Sequence, residues 1–109
     1  MDVYRKIGTP ALLELAAEEA TELAHACLKM ARKLRDENPT PMDEKDIKDK
    51  VAEEVADVYL CVDSVLYALN ISARQVLDIE AEKKKRWRER MEEMEKRDEQ
   101  SGNKKESEK

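Results

Sequence analysis

Apolar residues recur every three or four positions in the first third of the chain, with charged residues between them. This spacing places the apolar side chains on one side of an α-helix, at about 100° per residue. Thr9-Pro10 is typical of a helix start, with Thr9 as the N-cap residue and Pro10 as the first helical residue. Pro39 and Pro41 cannot continue a helix. The pattern therefore predicts a first helix that ends at about Arg35.

A second apolar stripe predicts a second helix, which begins between Thr40 and Asp43 and runs to Leu69. The residues of the stripe fall on one helical arc: Ile47, Val51, Val55, Val58, Val62, Val65, Leu66 and Leu69. Glu54 lies inside that arc, where a core side chain is expected. Asp57 lies about 60° round the helix, at the margin of the stripe, so both acids can reach one small cation.

A third helix is predicted after Ser72, because Ser72 and Gln75 form a capping-box pattern. Its apolar side is interrupted by Glu80 and by Lys83 or Lys84. Beyond about position 98 most residues are charged, the others include Ser101, Gly102 and Asn103, and none is a large apolar residue. The sequence therefore predicts one domain at 1–98 and a disordered tail at 99–109.

The composition favours helices over a sheet. Of the 109 residues, 43% are charged and 4% are aromatic, with two glycines and three prolines. We expect an all-α fold, an antiparallel bundle of three to four helices per chain. Because a chain of this size buries only a small core, we expect homo-oligomerisation, to a dimer or a tetramer, to complete the bundle.

Net charge and hydropathy limit the expected partners. The formal net charge of -5 argues against a nucleic-acid partner. The longest uncharged run, Ser64 to Ala73, is far shorter than a membrane span, and Met1-Asp2 does not begin a signal peptide. We therefore expect a cytoplasmic protein with no membrane partner. Cys27 and Cys61 lack metal-ligand spacing, and we expect both to be reduced thiols packed within helices.

The first helix repeats the acidic feature of the second. Glu19 lies within its apolar side, and Glu22 is displaced about 60° in the same sense as Asp57 from Glu54. If the two helices pack antiparallel, these four acids converge at one level of the bundle. Repulsion and desolvation would then raise their pKa values until some protonate, unless a divalent cation binds. Oxygen ligands indicate Mg²⁺, with Mn²⁺ as the alternative, and metal-assisted chemistry on phosphate esters or anhydrides.

Glu19-Ala20-Thr21-Glu22, followed a loop later by Glu54-Val55-Ala56-Asp57, resembles the paired motif of the MazG-like, all-α nucleotide pyrophosphohydrolases. The similarity covers roughly Pro10 to Arg90 and includes a Lys/Arg-rich third helix that ends in an aromatic residue, Trp87. The resemblance implies hydrolysis of nucleoside triphosphates, often deoxy or noncanonical ones, to a monophosphate and pyrophosphate with Mg²⁺. It also implies an obligate oligomer in which the four acids are the catalytic metal ligands.

The chain departs from the family pattern in three places. The gap between the motifs, Leu23 to Glu53, is longer than is usual. No asparagine accompanies the lysines that precede Arg86-Trp87, and Cys61 stands where some relatives have a tyrosine. The phosphate and sugar contacts and the base preference therefore do not follow from the resemblance.

Lys83, Lys84 and Trp87 are the candidate substrate-binding residues. A lysine near clustered carboxylates can pair with them or hold a substrate phosphate, whereas a solvated lysine can pack its stem on Trp87. Trp87 can stack on a base, or it can pack in a core or an interface. His25 falls on the polar side of the first helix, and we expect it at the surface.

Two other functions stay open at this point. In a non-catalytic helical assembly protein, the acids would form interhelical salt bridges with residues such as Lys50 or Lys83, because Glu-rich helical faces also arise without any function. A regulatory nucleotide sensor would bind nucleotide without turnover. Release of pyrophosphate from a panel of triphosphates distinguishes the enzyme from both.

Overall fold

The structure, a computed structural model, describes residues 5–36 and 42–108, and the side chains of 6–36 and 42–102. It contains a short 3-10 helix, Arg5–Ile7, and three α-helices: α1 (Thr9–Arg35), α2 (Glu44–Ala68) and α3 (Ala73–Glu108). No strand occurs within these ranges. The prediction of an all-α chain is confirmed, whereas the predicted loop around Pro39 and Pro41 lies outside the described residues.

The start of α1 differs from the prediction by one residue. Gly8, not Thr9, is the N-cap residue, and no side chain caps the helix. The φ angle of Gly8 is 82°, a conformation that glycine adopts at no steric cost, so this residue makes the turn into the helix. Thr9 is already helical, and Pro10 lies in the first turn, where its missing N–H costs no hydrogen bond. The predicted end at Arg35 is confirmed.

Both ends of α2 agree closely with the sequence. Asp43 is the N-cap residue, and the acidic Glu44 and Asp46 lie in the first turn, where they interact favourably with the helix dipole. Past the last helical residue, Asn70 has a φ angle of 55°. Asparagine tolerates this left-handed conformation better than most residues, so it suits the end of the helix.

α3 begins after Ser72, whose Oγ accepts a hydrogen bond from the backbone N–H of Gln75 at 3.1 Å. This is the cap that the sequence predicts. The helix continues past the predicted end near Asp98 to Glu108, in a stretch made largely of residues with good helix propensity. Helical conformation there does not test the predicted division into a domain at 1–98 and a disordered tail at 99–109, which stays a prediction.

The chain divides into two compact units, Met1–Ile71 and Ser72–Lys109. In the first unit α1 packs along α2. The helices are antiparallel, since Lys29, late in α1, borders the same groove as Met42, just before α2, while Glu22 and Glu54 border it at the middle of both helices.

Six positions, spaced seven residues apart on each helix, define what we call the seam between α1 and α2. They are Leu12, Glu19 and Ala26 on α1 and Ile47, Glu54 and Cys61 on α2. The four non-acidic members are the buried hydrophobic residues of the described chain. Glu54 is buried and Glu19 is half-buried. The seam is therefore apolar at its ends and acidic at its middle.

The two cysteines have different environments, and neither forms a disulfide. Cys61 is buried in the seam, which confirms the prediction of a packed thiol. For Cys27 the prediction is wrong, because this residue is exposed. Consecutive helical residues point about 100° apart, so the position after the buried Ala26 turns away from α2.

Among the described helices, none alone is both long and apolar enough to cross a membrane. Only α2 and α3 taken together, as one broken segment, have the length and composition of a span, and a single such pair is weak evidence.

Candidate metal centre

Three carboxylates meet at the middle of the seam, and we call them the acidic cluster: Glu19, Glu22 and Glu54. Glu19 and Glu22 come from successive turns of α1, and Glu54 comes from α2. Each offers one oxygen, and these oxygens lie within 4.8 Å of one another. Glu54 is only 3% exposed, Glu19 is half-buried and Glu22 is exposed. The cluster therefore extends from the buried Glu54 to the exposed Glu22 at the protein surface.

Asp57, the fourth predicted acid, is not a member of this group of three. It follows Glu54 by about one turn of α2 and is half-buried. Its negative charge contributes to a raised pKa at Glu19, so it lies near the cluster. Its role as a metal ligand stays a prediction.

The environment of the cluster opposes negative charge. Burial, followed by the charges of Glu22, Asp57 and Glu54, raises the pKa of Glu19 above its ordinary value of 4.5. The Oε2 atoms of Glu19 and Glu54 are buried and have no hydrogen-bond partner among the described residues. A buried carboxylate oxygen that lacks a donor is unfavourable. Both oxygens are thus available as ligands for a cation.

Lys50 brings a positive charge to the cluster. Its Nζ lies 2.9 Å from Oε1 of Glu54 and 3.7 Å from Oε2 of Glu53. The hydrogen bond to Glu54, followed by the charge of Glu53, raises the pKa of Lys50, which keeps the ammonium group charged. The assembly-protein hypothesis named Lys50 as an interhelical partner of the acids. The observed pair joins two residues of α2, one turn apart.

A groove with a volume of about 270 Å³ opens beside the cluster. Its lining residues are Glu22, His25, Ala26, Lys29, Met42, Ile47, Lys50 and Glu54. His25 is exposed, as predicted, but sequence reasoning did not identify the groove. The sequence does contain a spacing that indicates the groove, because Lys29 follows Glu22 by two helical turns and Lys50 precedes Glu54 by one turn.

The other candidate residues, Lys83, Lys84 and Trp87, lie on α3 in the second unit. They border a surface cavity of about 500 Å³ together with Glu80, Arg86 and Arg90. Nζ of Lys84 lies 3.0 Å from Oε1 of Glu80, and both side chains are exposed. Trp87 is 72% exposed. These residues form a basic patch around an aromatic ring, and their contact with substrate stays a prediction.

The acidic cluster has the donor atoms and the size for a small, hard cation. Mg²⁺ binds oxygen at about 2.1 Å, so two ligands on opposite sides of one ion are about 4.2 Å apart. Three ligands of one octahedral ion cannot all be opposite one another, and adjacent ligands are about 3 Å apart, so the three oxygens, which lie within 4.8 Å of one another, would have to draw closer to share one ion. Carboxylate ligands suit Mg²⁺ or Mn²⁺ better than softer metals. The residues present therefore fit the predicted metal.

Comparisons of the chain with protein-family models, with curated proteins and with solved structures give no match. The resemblance to the MazG-like family consequently depends on the sequence features described above, chiefly the paired acidic motifs, and the functional argument depends on the cluster itself.

Proposed function

We propose that the protein is a Mg²⁺-dependent nucleoside triphosphate pyrophosphohydrolase, which converts a ribo- or deoxynucleoside triphosphate to the monophosphate and pyrophosphate. The observation that carries this proposal is the convergence of Glu19, Glu22 and Glu54, with two buried oxygens that no donor satisfies. In a purely structural network, buried polar atoms are paired. Converging carboxylates that keep two buried oxygens without a donor are suited to a cation.

Each acid has a defined part in this proposal. Glu54, fixed in the buried seam, and Glu19 provide rigid ligands, and Glu22 provides a ligand at the open side of the cluster. A bound Mg²⁺ supplies charge neutralisation at the phosphate and lowers the pKa of a nearby water. Asp57, close to the cluster and half-buried, can contribute a fourth carboxylate or orient that water.

The proposal includes a homo-oligomer, a dimer or a tetramer. The first unit exposes large apolar side chains on both helices, among them Leu28 (53% exposed), Tyr59 (72%), Leu60 (48%) and Tyr67 (68%). Two helices with a small core rarely supply enough buried surface for a stable fold. A second copy of the chain would cover these faces. Light scattering should give two or four times the chain mass of 12.6 kDa, and a stable monomer would contradict this part.

A substrate screen tests the activity. The purified oligomer is incubated with a panel of ribo- and deoxynucleoside triphosphates and Mg²⁺, and pyrophosphate is measured, with EDTA as the metal-free control. Glu54→Gln removes the buried ligand, and Asp78→Asn changes an exposed acid of α3, outside the basic patch, as the matched control. Pyrophosphate release that requires Mg²⁺ and Glu54 supports the proposal. No release from any triphosphate, by a correctly assembled oligomer, contradicts it.

A second candidate is the non-catalytic helical assembly protein, since Lys50 pairs with the buried Glu54, although this pair lies within α2 and not between helices. In that case Lys50 alone compensates the buried acid, and divalent cations do not change the stability of the protein. A nucleotide sensor would instead be stabilised by a triphosphate with no product formed. Thermal unfolding with Mg²⁺, and with Mg²⁺ plus nucleotide, separates these outcomes from catalysis.

A further inference from the structure

Lys50 uses only one of the two oxygens of Glu54. Oε1 accepts the hydrogen bond from the ammonium group, while Oε2 is buried and has no partner among the described residues. The carboxylate of Glu54 is 4% exposed, but the side chain of Lys50 is 53% exposed. The ammonium group can therefore leave the carboxylate by rotation of its own side chain, without any opening of the seam.

The groove beside the cluster offers Lys50 a different kind of ligand. Lys50 lines this groove together with Lys29 and His25, and the acids Glu22 and Glu54 line it as well. A groove with carboxylates and amines close together suits a ligand that consists of a divalent cation and an anion. Lysine binds phosphate oxygens as a point charge on a flexible stem, which allows one lysine to serve two partners.

We propose that Lys50 is a displaceable counter-ion of the metal centre. When the cluster holds no divalent cation, the ammonium group of Lys50 pairs with the carboxylate of Glu54. When a cation binds that carboxylate, the ammonium group turns into the groove and binds a phosphate group. This inference rests on the proposed function, because it requires the cluster to bind a metal. It adds a residue that the paired motifs do not contain and places the phosphates in the groove between α1 and the start of α2.

The charges explain why one lysine is suited to both states. The three carboxylates of the cluster are balanced by one divalent cation and one ammonium group together. With the cation alone, or with Lys50 alone, negative charge is left over. Lys50 thus competes with the metal for Glu54 but assists the metal in binding an anion, so its removal should affect these two binding steps in opposite directions.

The test compares Mn²⁺ binding and anion binding in three proteins: wild type, Lys50→Met and Lys45→Met. Lys45 forms an exposed i,i+4 pair with Asp49 on the same helix at 3.3 Å, so Lys45→Met is the matched control. Titration calorimetry measures Mn²⁺ alone, and then pyrophosphate with Mn²⁺ already bound. We expect Lys50→Met to bind Mn²⁺ about threefold to tenfold more tightly and Mn²⁺-pyrophosphate more weakly by a similar factor. Lys45→Met should match wild type in both, and Lys50→Arg should retain the behaviour of wild type.

Each other outcome overturns the inference in a recognisable way. If wild type binds Mn²⁺ but Lys50→Met changes neither constant, or weakens both, Lys50 is not a displaceable counter-ion, and the metal centre stands without it. If Lys50→Met fails to fold and Lys50→Arg folds but does not retain the wild-type constants for Mn²⁺ and Mn²⁺-pyrophosphate, the inference is also overturned. If wild type binds no Mn²⁺, the inference falls together with the proposed function.

Discussion

Two lysine–glutamate pairs of the same kind stand in different surroundings in the two units of the chain. Lys50 and Glu54 on α2 are 2.9 Å apart, and Lys84 and Glu80 on α3 are 3.0 Å apart. In the first pair the carboxylate is 4% exposed, whereas in the second it is 53% exposed. The exposed pair is solvated and contributes little to stability. The buried carboxylate depends on a cation, because water cannot solvate it.

The charged side chains around each pair also differ between Glu54 and Glu80. On α2, Glu54 faces two acids of α1 across the seam, so one ammonium group cannot balance the local charge. On α3, Glu80 is flanked by the lysines and arginines that follow it. The chemistry of a carboxylate in this protein is therefore set by burial and by its neighbours on another helix, and four predictions test that comparison.

The largest expected effect is on catalysis. Glu54→Gln should reduce Mg²⁺-dependent pyrophosphate release by about 100-fold or more, because electrostatic groups at the reacting phosphate contribute effects of that size. The helices should stay intact, since glutamine relieves the repulsion among the acids. Steady-state kinetics and circular dichroism measure the two properties. Asp78→Asn, at an exposed acid of α3 outside the basic patch, should leave both unchanged, and equal losses in the two variants would show that burial does not distinguish the acids.

The second largest expected effect is the stabilisation of the folded protein by Mg²⁺. At a concentration about 100 times its dissociation constant, an ion that binds only the folded state adds about 2.7 kcal/mol to the free energy of unfolding. Urea denaturation with Mg²⁺ and with EDTA measures this. We expect the increase in wild type and Glu80→Gln and not in Glu54→Gln. An increase of the same size in all three would locate the ion elsewhere.

A smaller effect is expected from pH in the metal-free protein. The pKa of Glu19 is raised in the folded state, so the folded chain holds this proton more tightly than the unfolded chain. The stabilisation from the protonated carboxyl is complete below the ordinary value of 4.5 and is lost as pH rises through the raised pKa. Urea midpoints in EDTA should therefore fall from pH 4.5 towards neutrality. Glu19→Gln should reduce that slope, and an unchanged slope would contradict the assignment.

The smallest effect should come from the exposed pair itself. Glu80→Gln removes one charge of an ion pair in which both side chains are exposed. We expect the free energy of unfolding to change by no more than about 0.5 kcal/mol. Chemical denaturation measures the difference. A loss of several times that size would show that the pair on α3 is buried in the assembled protein.

The sequence predicts the helices and all three residues of the acidic cluster, because both follow from periodicity. Glu19 and Glu54 interrupt apolar stripes at seven-residue distances from buried residues, and the structure places them on the seam. Gly8 was not predicted as the N-cap residue of α1, because glycine has no side chain that marks the start of a helix. The exposure of Cys27 was missed because a single residue's position on a helix is less certain than the position of the whole stripe.

The groove and the pairing of Lys50 with the buried Glu54 do not follow from the sequence. Many lysines of this chain stand three or four residues from a glutamate, and only burial of one partner separates Lys50 from the rest. Asp57 is the reverse case. Its position relative to Glu54 repeats the position of Glu22 relative to Glu19, but none of the three converging oxygens belongs to Asp57. The directions of the side chains on the two packed helices determine which acids converge and which lysine pairs with Glu54. The periodicity of the sequence gives these directions only approximately.

The most direct measurement is a crystal structure of the assembled protein grown with Mn²⁺, with the ion located by its anomalous scattering. We expect an anomalous peak bounded by carboxylate oxygens of Glu19, Glu22 and Glu54, with Lys50 turned away from Glu54. No peak at these acids, or acids that point to separate surfaces in the assembly, would contradict it.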